Sequence, residues 1–303
     1  MAFLTKLNNK DINIICNNYN LKNYKNLTPI YEGIQNSNYI IHDSKKYILT
    51  IYEDKNVIKN LKKYIKLLLY MNQSEFNCPV PIINKEKEFI STINNKKYAI
   101  FTFLEGKYLK KYNNNNLNEL GINVAIMHRL TLNLNLKIKN IFNLKYFQTN
   151  IKKHQEYILS FDKKLIIYFK KSLNDYKKLK QINLDIGIIH ADLFPDNVLY
   201  KNSKITGFID FYYACNYYLI TDLAIIIISW CFNYKSNTMI LNLDNVKILL
   251  KSYNNKKKLT FAELKFLDLL CKIYCIRFFL TRIKDINKNY NNNFTQIKDP
   301  KEY

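Results

Sequence analysis

The feature that most restricts this chain is a register of polar residues set around three short apolar runs. Residues 186–190, 198–200 and 205–209 are strand-like. The words they carry are Ile189-His190-Ala191-Asp192-Leu193-Phe194-Pro195-Asp196-Asn197-Val198-Leu199 and, with its Asp thirteen residues beyond Asn197, Gly207-Phe208-Ile209-Asp210-Phe211. Taken singly, each polar residue here is an ordinary loop residue capping a hairpin. Four of them in register across two linked strands point to chemistry instead. The spacing H-x-D-x-x-x-x-N followed by I-D-F suits transfer of a phosphoryl group from ATP to a hydroxyl. Such a transfer needs little covalent help, so the protein positions an alcohol and screens charge. Asp192 is then expected to accept the alcohol proton or orient the hydroxyl. Asn197 and Asp210 are expected to supply oxygen ligands to Mg2+, a hard cation.

Hydrophobic periodicity organises the rest of the 303 residues, a length sufficient for one large or two ordinary domains. A short helix over 11–18 precedes three extended runs, 27–32, 38–42 and 46–52. A Gly33-containing turn and Asp43-Ser44 separate them, the pattern of an antiparallel meander. The spacing predicts a helix over 55–70, with Val57, Leu61, Tyr64, Ile65 and Leu68 along one face, then two more extended runs at 88–93 and 97–103. From Leu104 the pattern turns helical, over 117–130, 150–179, 222–232, 245–253 and 260–283, interrupted by the runs that carry the motif. The expectation is an α+β chain of two lobes: a small antiparallel β-sheet lobe with one helix over 1–104, and a larger, mainly α-helical lobe over 105–303.

Composition excludes more than it assigns. The formal net charge of +23 raises the question of nucleic acid, because neutralising phosphates supplies most non-specific affinity. Yet only three of the 47 basic residues are arginine, Arg129, Arg277 and Arg282, and the lysines come with abundant Asn, Ile and Tyr, which share A/T-rich codons. Codon drift gives that balance to any protein, whereas readers of nucleic acid favour the planar fork of arginine. No nucleic-acid partner is expected. The longest apolar run, ending at Phe232, contains Ser229 and is too short for a membrane span, and the N-terminus lacks the apolar core of a signal peptide. No membrane is therefore expected, and the cytoplasm is the default. Cys16, Cys78, Cys215, Cys231, Cys271 and Cys275 form no C-x-x-C pair and join no His at zinc spacing, so they read as reduced, mostly buried thiols.

Other words stand beside the motif: Tyr47-Ile48-Leu49-Thr50-Ile51-Tyr52-Glu53, Cys78-Pro79-Val80-Pro81, Phe101-Thr102-Phe103-Leu104-Glu105-Gly106, Ile209-Asp210-Phe211-Tyr212-Tyr213-Ala214-Cys215-Asn216, Thr221-Asp222-Leu223-Ala224 and Arg277-Phe278-Phe279-Leu280-Thr281-Arg282. On these words, from about Asn8 to Tyr303, the chain resembles the homoserine kinases of the aminoglycoside phosphotransferase and choline kinase superfamily, which has a protein-kinase-like fold. The resemblance implies an enzyme that uses ATP and Mg2+ to phosphorylate the hydroxyl of L-homoserine to O-phospho-L-homoserine in threonine biosynthesis. Choline, an aminoglycoside or another metabolite alcohol is the alternative acceptor within the superfamily.

The resemblance also implies particular positions. Gly33, Asn36, Ser37 and Asn38, between the first two strands, stand where a phosphate-covering loop belongs, with small side chains and N–H groups to face phosphate oxygens. Phe103 and Glu105 stand in the connection where such kinases read the adenine edge. Asp222 reads as a helix N-cap and, through the resemblance, as a brace for the loop backbone near His190; His190 itself reads as a structural donor rather than a base. One departure is plain: Thr50 occupies the third-strand position where related kinases carry a phosphate-pairing Lys or Arg. Homoserine kinases of this type share it, and the phosphate counter-charge is left unassigned. The ammonium and carboxylate of homoserine require complementary groups beside Asp192. Arg277, on an otherwise apolar helical face, is costly to bury unless it meets a carboxylate, either the substrate's or an internal partner's. Asp196, Tyr212 and Asn216 complete the substrate-side candidates.

Overall fold

The computed structural model describes residues 5–31, 36–235 and 238–288, and the chain divides into two compact units. The first takes the described residues up to Gly106 together with Thr206–Tyr212; the second takes Lys107–Ile205 and the described residues from Tyr213 onward. Asp210 and Tyr212 therefore belong to the first unit, although the chain reaches them from the second.

In the first unit, α1 (Asn9–Asn18) starts at a reciprocal capping box, in which the Asn8 and Asp11 side chains each accept the other's backbone N–H. Five antiparallel strands, β1 (Asn26–Ile30), β2 (Asn36–His42), β3 (Lys46–Tyr52), β4 (Ser91–Ile93) and β5 (Lys96–Thr102), lie in the order β1-β2-β3-β5-β4. Side-chain alternation places Tyr39, Ile41, Leu49, Ile51, Tyr98 and Ile100 in one core with Ile15 and Cys16 of α1. The register pairs Asn38 with Thr50 and Thr50 with Ala99, so these three share the opposite face. A one-residue slip would exchange the two faces, which is why the apolar alternation fixes the register. Helix α2 (Lys55–Gln73), capped by Asp54, packs on β3 and buries Val57, Leu61, Tyr64, Ile65 and Leu68, the face its spacing predicts.

Along the remaining chain follow α3 (Asn114–Thr131), α4 (Leu144–Lys153), α5 (Gln155–Phe161), α6 (Lys163–Lys178), β6 (Ile186–Ile189), β7 (Val198–Lys201), β8 (Lys204–Phe208), β9 (Cys215–Tyr218), α7 (Ile220–Trp230), β10 (Phe232–Lys235), β11 (Thr238–Leu241), α8 (Leu243–Lys256) and α9 (Phe261–Lys288). The stretch 150–179, which reads as one helix, is broken into three. Asp162 turns extended and its carboxylate accepts the Lys164 N–H at the head of α6, 2.8 Å away. Two further departures are strands: β9 pairs antiparallel with β6, and β10 with β11. Helix α7 is mostly apolar and its residues Leu223, Ala224, Ile225 and Ile226 have no exposed surface, which makes it the central helix of its unit. It packs against α9, while α3 packs against α8. The second contact is close enough that a Cβ on Gly121 would stand 2.8 Å from the Leu249 carbonyl oxygen, so only glycine permits it. Among the described residues, no helix is long and apolar enough to cross a membrane.

Candidate active site

The loop after β6 is shaped by a carboxylate from α7. Ala191 sits at φ +64°, a left-handed conformation that costs energy for a residue with a Cβ, so external contacts must hold it there. Asp222 provides them: Oδ2 accepts the His190 N–H and Oδ1 the Ala191 N–H, both at 2.8 Å. Asp222 is the third residue of α7, whose N-cap position is Leu219. The N-cap expectation is thus corrected, because the carboxylate serves the neighbouring loop rather than the first N–H groups of its own helix. His128 of α3, wholly buried, brings Nε2 within 3.0 Å of Asp222 Oδ2 and Nδ1 within 2.9 Å of the Tyr253 hydroxyl of α8. A carboxylate only accepts, so His128 Nε2 carries the proton. Burial, with the negative charge of Glu263, Asp222 and Asp185, holds the Tyr253 phenol far above its ordinary range, and its hydroxyl keeps its hydrogen. His190 is fully buried beside this brace.

Asp192 is held from two sides. Arg277 of α9, 1% exposed, donates from Nη1 to the Ala191 carbonyl and from Nη2 to Asp192 Oδ1 at 3.2 Å. Its guanidinium lies over the rings of Phe142, Phe278 and Tyr213, at 4.1, 4.3 and 4.8 Å from their centroids. The rings exclude water from the cation, whose Nη1 and Nη2 are engaged while its buried Nε meets no acceptor among the described residues. Of the two partners that sequence reading leaves open for Arg277, the structure supplies the internal one. Asn197, at the end of a 3₁₀ turn over Pro195–Asn197, donates Nδ2 to the Asp192 carbonyl at 2.7 Å and to Asp192 Oδ2 at 3.2 Å. Because the amide nitrogen is committed to Asp192, Asn197 Oδ1 is left as a neutral, hard oxygen donor. Asp196, in the same turn, is exposed.

In the first unit, three of the residues expected to meet the nucleotide are tied to other residues of that unit. Asn36 Oδ1 accepts the Glu53 N–H at 3.3 Å, and Ser37 Oγ takes the Thr5 N–H at 3.0 Å while donating to Glu53 Oε1 at 3.1 Å. Glu53 Oε2 is also paired with Lys96 Nζ at 2.7 Å. Asn38 Oδ1 accepts from Thr50 Oγ1 at 2.8 Å, so the position where related kinases carry a cation is buried and neutral here. Phe103 is half-buried with Lys46 Nζ 5.3 Å from its ring centroid, and Glu105 is exposed. Gly33 lies outside the described residues. Asp210 is exposed at φ +63°. It follows Gly207, where an added Cβ would stand 2.9 Å from the Asn77 carbonyl oxygen, so the segment runs too close to its neighbour for any side chain. The Tyr212 hydroxyl lies 3.1 Å from that of Tyr52. Asn216 is engaged structurally: its Oδ1 accepts the Ile138 N–H at 2.6 Å and its N–H donates to the Ile138 carbonyl.

Sequence reading passes over His128, Tyr253 and Phe142. For His128 a signal exists: it is one of four histidines and sits in an otherwise apolar stretch of α3, where an imidazole requires buried partners. Phe142 lies in an irregular segment and meets Arg277 only through the folded chain, so no local pattern marks it.

The structure thus describes a buried brace behind the acidic Asp192 loop with an amide beside it and, in the first unit, a second acidic segment after a short hairpin. The chain belongs to the phosphotransferase enzyme family, whose model matches residues 26–239, and it is an ATP-dependent kinase. Within that class it is a member of the homoserine kinases. It is 31% identical over 304 residues to the homoserine kinase of Parvibaculum lavamentivorans and 30% identical over 304 residues to that of Agrobacterium fabrum. Both comparisons cover 100% of this chain and 94% of the relative. Among solved structures, it is similar to an amicoumacin kinase in complex with AMP-PNP and Ca2+, with a TM-score of 0.71 and 16% identity over 96% of this chain and 88% of that one. A choline kinase from Cryptosporidium parvum gives a TM-score of 0.62 and 15% identity over 96% and 94%. These likenesses show the protein-kinase-like α+β fold.

Proposed function

We propose that this chain transfers the γ-phosphoryl group of ATP to the side-chain hydroxyl of L-homoserine, giving O-phospho-L-homoserine and ADP in the cytoplasm. The observation that carries the reading is likeness along the whole chain to proteins named homoserine kinase, at 31% identity and 94% coverage of the relative. The hydroxyl oxygen forms a bond to phosphorus as the bond to the ADP oxygen breaks, and the hydroxyl proton leaves toward the Asp192 carboxylate. Arg277 and Asn197 fix that carboxylate by its two oxygens, so its unshared lone pairs are aimed before the alcohol arrives. Arg277 therefore acts on Asp192, and the substrate's own carboxylate is met by other groups. His190, Ala191 and Asp222 keep the loop backbone from relaxing.

Asn197 Oδ1 and the Asp210 carboxylate are the protein oxygens that would hold Mg2+, a donor set suited to a cation that keeps waters and phosphate oxygens as its other ligands. When bound, Mg2+ neutralises charge on the phosphate oxygens. Residues 1–104 serve the nucleotide, through the start of β2 (Asn36, Ser37, Asn38) and the connection at Phe103 and Glu105. Residues 105–303 carry the alcohol. A coupled ADP-release assay with Mg-ATP and a panel of L-homoserine, choline, L-serine and an aminoglycoside tests the substrate. Homoserine-dependent turnover is the expected result, and turnover with another alcohol alone would move the assignment to that acceptor.

A further inference from the structure

Two residues past Asp210, Tyr212 is anchored by neutral groups. Its hydroxyl lies 3.1 Å from that of Tyr52 at the end of β3. Its ring meets Tyr52 edge-on with centroids 5.5 Å apart and Tyr64 of α2 at 6.0 Å. Tyr52 is buried. β3 and α2 are thus linked to one phenol by a hydroxyl and by rings. Asp210 is itself exposed and held at a positive φ, so its own burial does not fix it.

We propose that Tyr212, through its hydroxyl contact to Tyr52 and its packing on Tyr64, is the positioning residue that keeps the Asp210 carboxylate in its metal-binding conformation. This rests on the reading of Asp210 as a Mg2+ ligand. A metal ligand ordered by its neighbours in advance binds without a further ordering cost, and the loss of such a neighbour weakens metal affinity more than it weakens the chemistry. With Thr50 where related kinases carry a cation, more of the phosphate charge rests on the metal, and so on the group that aims its ligand.

The test uses the full chain with Mn2+ as probe and a non-hydrolysable ATP analogue, following bound metal by electron paramagnetic resonance, alongside the Mg2+ dependence of turnover. Tyr212→Phe is expected to weaken Mn2+ binding about 10-fold, the lower end for loss of an outer partner, and to raise half-saturating Mg2+ by a similar factor. The change in kcat at saturating Mg2+ is expected to be far smaller. Tyr52→Phe is expected to weaken binding less, and the double variant no more than Tyr212→Phe alone, since both remove one shared bond. Equal Mn2+ affinity in the wild type and Tyr212→Phe overturns the inference and leaves the role of Asp210 standing. Failure of the wild type to bind Mn2+, or unchanged binding in Asp210→Asn, overturns that role and this inference with it. If Tyr212→Phe does not fold, Tyr52→Phe decides: weaker binding supports the inference and unchanged binding overturns it.

Discussion

The loop that leads into Asp192 and the segment that ends at Asp210 both contain a residue forced to positive φ, Ala191 at +64° and Asp210 at +63°, yet opposite chemistry surrounds them. Around Asp192, beside the neutral Asn197 amide, the partners described are buried and charged: the Asp222 carboxylate with its His128 support, and the Arg277 guanidinium in its cage of rings. Beside Asp210, Tyr212 is tied by hydroxyls and aromatic edges. Charged partners inside a protein are strong but unforgiving. Removing one strands the other, at about 3–5 kcal/mol, whereas losing a neutral hydroxyl bond costs about 0.5–1.5 kcal/mol. The Asp192 loop should therefore fail as a unit, and the Asp210 segment by degrees.

The largest effect is expected from Asp222→Ala, which leaves the His190 and Ala191 N–H groups and His128 Nε2 without their acceptor. Denaturant unfolding should show a loss of about 3–5 kcal/mol, with activity lost as well. A loss no larger than that of Tyr212→Phe would erase the contrast between the two regions. Next comes Arg277→Lys, which keeps the charge but loses the fork that reaches Ala191 and Asp192 together. We expect kcat to fall roughly 100-fold through misplacement of Asp192, with the homoserine KM little changed. A raised KM with intact kcat would instead place Arg277 on the substrate's carboxylate. Smaller again is His128→Gln, which retains a donor toward Asp222 and should cost about 1 kcal/mol less than His128→Ala in chemical denaturation. Equal losses from the two would mean that the imidazole acts by volume alone.

The smallest expected effect compares the interiors of the two units. Burial pushes Cys78 in the first unit, and Cys215 and Cys231 in the second, from an ordinary 9.0 up to about 12. A group whose folded pKa is raised stabilises fully below its unfolded value and loses that contribution as pH rises through the folded one. Folding stability should thus decline between pH 9 and about 12, and native thiols should resist alkylation at neutral pH until the chain unfolds. Rapid labelling of native Cys215 would contradict its burial.

Much of the sheet was legible because β2, β3 and β5 alternate cleanly and their turns are marked by Asp43-Ser44 and Asn94-Asn95. The α2 face was legible for the same reason, at helical spacing. The break within 150–179 was hidden because its Lys-rich sequence offers polar residues everywhere, and Asp162 gains meaning only by capping α6. Strand β9, with the sequence Cys215-Asn216-Tyr217-Tyr218, lacks apolar alternation and exists because β6 needs a partner. In the site, the acidic register was local and visible. The His128–Asp222 contact spans 94 residues and the Arg277–Asp192 contact 85, distances over which one sequence carries no pairing signal. For that reason the sequence alone left both partners of Arg277 open.

The most direct test of the account is a 31P NMR time course of wild-type protein and Asp192→Asn with Mg-ATP and L-homoserine. The account predicts a phosphomonoester resonance matching O-phospho-L-homoserine, growing in step with ADP in the wild type and absent or nearly so in Asp192→Asn. ATP consumption without that resonance, or the same rate of product formation in the variant, would contradict it.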